Sequence, residues 1–201
     1  MGYRFISAIS ISTIGLKMIG LAITLIVVLI VVILVLISVY YINRIIVLSN
    51  RIDNAWAQID VQLKKRADLV PNLVETVKGY AAHEKKAIET VTKARERMVS
   101  AGGVEDKMKA GRELTAALKT IFAIAENYPN LKANENFKLL QEQLDGIESK
   151  IAYARQFYND STLSFNNIIS TIPGRWFAGS RVQKPYYEVT EEERAPVKVS
   201  F

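Results

Sequence analysis

Between Lys17 and Arg44 the chain carries no charged side chain, and Met18 to Ile42 is almost entirely Ile, Val and Leu. As a helix rising ~1.5 Å per residue, this run is about 38 Å long, enough to cross the hydrocarbon of a bilayer with some tilt. Lys17 precedes it and Tyr40 and Tyr41 close it, side chains that favour the membrane interface. A cleaved signal peptide is the competing reading. The chain continues through Ile42-Asn43-Arg44 without a small-x-small cleavage pattern, so an uncleaved transmembrane helix over 18–42 is expected. Residues 1–17 form a short Ser/Ile-rich segment before it. Arg4 and Lys17 on one side balance Arg44 and Arg51 on the other, so local charge does not orient the span.

The remainder is polar and of one-domain length within a chain of 201 residues. There is no cysteine, which excludes disulfides, thiol catalysis and Cys-ligated zinc. The 26 basic and 20 acidic residues are mixed along the chain, so the net charge of +6 gathers into no nucleic-acid-binding block. His83 is the only histidine, and its neighbour Glu84 points elsewhere on a helix, so a solvated histidine is expected rather than a metal or proton-transfer pair. No phosphate-loop, dinucleotide, nucleophile-elbow or zincin motif is present. No cofactor is expected.

Asn43 to Ser100 reads as one very long helix, with apolar columns at seven-residue spacing. One column is Ile52, Ile59, Arg66, Leu73, Tyr80, Ala87, Ala94; the other is Trp56, Leu63, Val70, Val77, Glu84, Val91, Met98. Ala101-Gly102-Gly103 ends it, with glycine available for a left-handed cap. A second helix spans about Val104 to Asn127 and stops at Tyr128-Pro129-Asn130. A third, about Glu135 to Thr171, carries an apolar stripe from Phe137 to Ile172 and stops at Pro173-Gly174. The tail 174–201, with Pro185, Pro196 and the acidic Glu191-Glu192-Glu193, is expected to be extended or disordered. The fold class is all-α: a transmembrane helix, then an up-and-down bundle of three to four long helices over 43–173.

Arg66 and Glu84 stand where the columns call for apolar side chains. A polar layer that fixes register is the structural reading, and a functional charge facing a crevice is the alternative. A buried Arg66 needs a carboxylate, for which Glu135, Glu142 and Glu148 are candidates. Pro71 lies inside the first helix and strips the carbonyl of Ala67 of its donor, a deficit that Asn72, Asn134 or Asn136 could make good. The apolar stripe keeps its phase across Pro71, which indicates a kinked continuous helix.

These residues sit in two long segments, AQIDVQLKKRADLVPNLVETVKGYAAHE and YPNLKANENFKLLQEQLDGIESKIAYARQFYND, which closely resemble the LemA family of bacterial membrane proteins. The resemblance covers about residues 44–173 and leaves the tail outside. Arg66, Asp68, Pro71 and Asn72 in the first segment stand where the family pattern has them, as do Asn134, Glu135, Asn136, Arg155, Tyr158 and Asn159 in the second. The resemblance implies a helical bundle on a single-pass anchor in the cell membrane, with the bundle in the cytoplasm. It implies no settled biochemical activity.

Three functions are therefore weighed. The first is a membrane-anchored, non-enzymatic scaffold or interaction protein. The second is a membrane sensor or signalling module, disfavoured by the few residues beyond the anchor. The third is an enzyme using Arg66 and carboxylates in a crevice. For the scaffold, helix lengths point to self-association. A first helix of about 87 Å outreaches a second of about 36 Å, which leaves Ile52, Trp56, Ile59 and Leu63 uncovered within one chain. That stripe would pack against another copy, giving a homo-oligomer, unless the first helix folds back. The bilayer is the one partner the sequence implies directly; a further protein partner stays unidentified.

Overall fold

The computed structural model describes the backbone of residues 3–187 and the side chains from Lys17 onward. The side chains of residues 1–16 and the acidic run at 191–193 fall outside the described residues. Helix α1 (Tyr3–Lys78) is followed by α2 (Lys85–Ser100), α3 (Val104–Ala125), the short α4 (Pro129–Ala133) and α5 (Glu135–Ser170), then a 3-10 turn at Gly174–Phe177. No strand occurs among the described residues. The chain divides into two compact units, one of residues 1–47 with 168–182, the other of residues 48–167 with 183 onward.

In the second unit, cross-helix contacts fix an up-down-up-down bundle. Asp60, Leu63 and Arg66 of α1 meet Lys107, Gly111 and Thr115 of α3, so these helices run parallel. Trp56 and Arg66 meet Tyr158 and Glu148 of α5, which is therefore antiparallel to α1. Arg95 of α2 reaches back to Ala67. The core follows the apolar spacing: Leu48, Ile52, Ala55, Ile59, Leu63, Val70, Leu73 and Val77 of α1 are all buried. Each large aliphatic side chain fully buried in this way contributes about 1.5–3 kcal/mol.

The long first helix does not continue to Ser100. It ends at Lys78, and a turn at Gly79–Glu84 reverses the chain into α2. Tyr80 and Ala81 both donate to the carbonyl of Val77, at 3.1 and 2.8 Å, and Ala81 is buried beneath the turn. Tyr80 is exposed, and Glu84 stands at the N-terminus of α2 rather than in the core. Glu84 therefore shares no polar layer with Arg66; it accepts a 3.1 Å hydrogen bond from the Tyr128 hydroxyl.

This reversal removes the length argument for self-association. With α2, α3 and α5 all folded against α1, Ile52, Ile59 and Leu63 are 3, 0 and 1 % exposed inside their own chain. Trp56 packs edge-on to Tyr158 at 6.3 Å. Ile52, Ile59 and Leu63 are a core seam of one bundle, with Trp56 half-buried at its edge, and not a free face. The chain folds back beyond Val77, and α1 runs on through Pro71.

Other boundaries shift by small amounts. The break expected at Pro129 is the start of α4, where a first-turn proline loses no helical hydrogen bond. Asn134 then caps α5, its Oδ1 accepting from the Phe137 amide at 3.0 Å. Helix α2 ends in extended Ala101 rather than through a left-handed glycine; among the described residues only Gly179 has positive φ.

Pro71 sits within α1 as expected, and the buried positions keep step across it. The orphaned carbonyl of Ala67 is satisfied from another helix. Arg95 Nε donates to it at 3.0 Å, a role that the three asparagines do not fill. Arg95→Ala is expected to cost about 1–3 kcal/mol in chemical denaturation, because a part-buried acceptor loses its donor. In a Pro71→Ala background the loss should shrink, since alanine restores the helical N–H. Equal losses in both backgrounds would sever the link between Arg95 and the proline.

Candidate functional site: a buried arginine capped by a clasped strap

The polar centre of the bundle is Arg66. Its side chain is 2 % exposed, its Nη1 donates to Thr115 Oγ1 at 2.5 Å, and its Nη2 pairs with Glu148. Glu148 is thus the carboxylate supplied, and Glu135 and Glu142 lie exposed. Burial pulls the guanidinium below its ordinary pKa, and Glu148 opposes the shift. The position is at a core step of α1, so a residue of another type would be apolar here. Arginine keeps one planar donor set aimed at two helices at once.

The lid over this pair comes from the chain after α5. Residues 183–187 run extended and antiparallel to α5, held by side chains rather than by a neighbouring strand. Asn166 accepts from the Lys184 amide at 2.8 Å and donates to the Lys184 carbonyl at 2.9 Å. Asn159 grips Tyr187 in the same way, at 2.8 Å to its amide and 3.0 Å to its carbonyl. Between them the Tyr158 hydroxyl donates to the Pro185 carbonyl at 3.1 Å.

The spacing explains the match. Three residues of extended chain advance about 10 Å, at ~3.3 Å each. Seven residues of helix advance about 10.5 Å, at ~1.5 Å each. Two asparagines seven apart on α5 therefore meet main-chain groups three apart on the strap. A carboxamide presents one acceptor and two donors, so it replaces both bonds of a sheet partner.

Tyr187 is the anchor, 3 % exposed. Arg155 lies over its ring at 5.4 Å, a cation–π contact. Its hydroxyl lies 3.6 Å from where a Cβ on Gly111 would stand, beside Leu63. Burial raises the Tyr187 phenol above its ordinary pKa, while Arg155, Arg66 and Arg112 act in the opposite sense. A raised folded-state value makes the neutral phenol the stabilised form. Stability is thus complete below the ordinary phenol value of about 10 and is lost as pH climbs through the raised one. Thermal melts between neutral and alkaline pH should show this loss, and Tyr187→Phe should flatten it. An identical alkaline slope in the variant would clear Tyr187 of the effect.

The residues singled out by the family pattern thus divide into groups. Arg66, Arg155, Tyr158 and Asn159 converge on the strap and its pocket. Pro71 belongs to the Arg95 bridge. Asn134 caps α5, and its Nδ2 donates to the Tyr80 hydroxyl at 3.0 Å. Asp68, Asn72, Glu135 and Asn136 are exposed, and Asn72, Asn134 and Asn136 line an open cleft of about 570 Å³ between α1 and α5. Sequence reasoning missed Asn166, Thr115, Arg95 and Tyr187. Asn159 and Asn166, seven apart on α5, were the available signal for the clasp.

The expected extended or disordered tail is thus ordered to Tyr187, through the 3-10 turn and the strap.

A second surface feature follows the α1–α5 seam. An open cleft of about 850 Å³ lies between Ala57–Gln62 and Lys150–Asp160, with exposed Val61, Tyr153 and Phe157 on its walls. Lys150 also belongs to the next cleft, which shares Leu69, Leu139 and Gln143 with the one beside Asn72. The three form a continuous groove. No group of three His, Cys, Asp or Glu side chains fit to hold a metal occurs among the described residues.

One helix long and apolar enough to cross a membrane, continuing into a four-helix bundle closed by its own C-terminal strap, defines a membrane-associated helical protein. A model of the LemA family matches residues 55–201, and the chain belongs to that family. The match takes in the tail, which the sequence segments alone had left outside. Magnetosome protein MamQ of Magnetospirillum gryphiswaldense is 26% identical over 148 residues, 61% of this chain and 54% of the relative. Magnetosome proteins MamQ 1 and MamQ 2 of Paramagnetospirillum magneticum are each 24% identical over 162 residues, 68% of this chain and 60% of theirs. The chain therefore spans little more than half the length of these relatives.

Proposed function

We propose that the chain is a single-pass, non-enzymatic membrane scaffold that self-associates through the groove between α1 and α5. The groove is the observation that carries this reading. Its exposed Val61, Tyr153 and Phe157 form apolar walls, and Gly146 leaves open space where a side chain would stand. Its rims mix Lys65 and Lys150 with Asp68, Glu142 and Asp160, so a copy of the same surface offers opposite charges. Copies anchored in one bilayer meet at high effective concentration. The buried Arg66 is paired and enclosed, which supports a structural role over catalysis. The relatives are named for the structure they belong to, not for a reaction.

The bundle is assigned to the cytoplasmic side of the cell membrane on the family resemblance. Protease added to intact cells should leave the C-terminal tail uncut; cleavage there would reverse the topology. For association, the absence of native cysteine allows single cysteines at 61, 153 and 157. Cross-linking between chains in membranes is expected there and not at the buried positions 52 and 59. A monomeric particle in mild detergent with no crosslink at any of the three would overturn the scaffold's self-association.

A further inference from the structure

The unit formed by residues 1–47 and 168–182 carries a second apolar surface that the span does not explain. After α5 the chain turns sharply at Gly174, where a Cβ would stand 2.1 Å from the carbonyl oxygen of Ile168. Only glycine permits that approach. The Arg175 amide then donates to the Thr171 carbonyl at 2.8 Å, and the 3-10 turn Gly174–Phe177 follows. Phe177 stacks on Tyr41, ring centroids 5.7 Å apart and planes 14° from parallel. Tyr41 closes the apolar run, so the turn is held at the level where aromatic side chains favour the membrane interface.

Around that fixed point the large apolar side chains face outward. Ile172, Trp176 and Val182 are 70, 70 and 75 % exposed. Three such side chains within so short a stretch are costly in water and mark a contact surface. The charge around them has one sign: residues 17–47 and 168–182 contain Lys17, Arg44, Arg175 and Arg181 and no Asp or Glu. Arg175 and Arg181 are exposed beside the apolar trio. Trp with cationic neighbours, contiguous with the end of a span, suits the headgroup layer of an anionic leaflet.

We propose that the segment from Ile172 to Val182 is a second membrane contact. In it, Trp176, Ile172 and Val182 enter the interfacial layer while Arg175 and Arg181 bind the phosphates of anionic lipids. The proposal rests on the span being in the bilayer, and it adds a lipid-reading element beside Tyr41, at the C-terminal end of that span.

The test uses the full-length chain carrying Trp56→Phe, which leaves Trp176 as the single tryptophan. It is reconstituted into vesicles of phosphatidylcholine, with or without phosphatidylglycerol, containing lipids brominated along the acyl chains. Trp176 emission is expected to fall at least about twofold with brominated lipid and to resist aqueous iodide, as for a ring in the interface. The reverse variant, Trp176→Phe, leaves only Trp56 and should respond to neither lipid. Phosphatidylglycerol should deepen the Trp176 response, and Arg175→Gln with Arg181→Gln should abolish that increment. Quenching of Trp176 by iodide but not by brominated lipid would overturn the contact. Equal responses with and without phosphatidylglycerol would overturn its preference for anionic lipid. Failure of the chain to co-float with vesicles would instead refute the span itself.

Discussion

Replacing Arg66 with Glu is expected to lower the unfolding free energy by about 3–5 kcal/mol, the cost of leaving a buried charge without its partner. The new carboxylate would face Glu148 across α1 and α5, a like-charge pair where an ion pair stood. Arg66→Met should be far milder, about 1 kcal/mol, because it fills similar volume and removes the charge. Glu148 is 39 % exposed and can turn to water once the guanidinium is gone. Denaturant titration followed by helical circular dichroism separates the two variants. Similar midpoints for both would show that the pair contributes no register or charge compensation.

Arg66 was legible because it broke a periodic pattern. An arginine among Ile52, Ile59 and Leu73 at seven-residue spacing has to be either exposed or paired, and the spacing argues against exposure. Its candidate carboxylates could be named but not ranked, since the choice depends on how far α5 is shifted along α1. The turn at Gly79–Glu84 was hidden for the opposite reason. Ala87, Val91, Ala94 and Met98 are buried on α2 by its own amphipathicity, yet they also continue the columns of α1. Apart from Arg66, only Tyr80 and Glu84 depart from the apolar columns, and both lie in the turn that begins at Gly79. Read together, Gly79, Tyr80 and Glu84 would have signalled the reversal, and with it the burial of Ile52, Ile59 and Leu63.

The strap was harder to see. Lys184-Pro185-Tyr186-Tyr187 has no strand partner and no apolar period, so local propensity marks it as unstructured. Its order comes from α5, through two carboxamides whose spacing matters only once an extended chain lies alongside. The Arg95 bridge shares that character. The proline announces a carbonyl in need, but a donor from a different helix is fixed by tertiary packing alone.

Tyr187→Ala should release the strap. Removing a buried aromatic side chain costs about 3–5 kcal/mol in well-packed surroundings. Here it also strips Arg155 of its cation–π partner and leaves a void beside Leu63 and Gly111. The bundle's helices bury their own seams, so the loss should fall mainly on the strap. It should appear as local opening rather than global unfolding. Hydrogen exchange at the amides of Lys184 and Tyr187 reads this directly, because their partners are Asn166 and Asn159. At about 1.4 kcal/mol per tenfold, protection should fall by roughly two to three and a half orders of magnitude at both sites. Asn159→Ala leaves the Tyr187 amide and carbonyl unpaired and should cost about 1–3 kcal/mol, with the ring still seated. If the strap is one cooperative element, each substitution weakens protection at the distant Lys184 amide as well as nearby. Loss confined to residue 187 would mean that the two asparagines hold independent grips. Unchanged protection at both amides would mean that the strap is held by something other than this clasp.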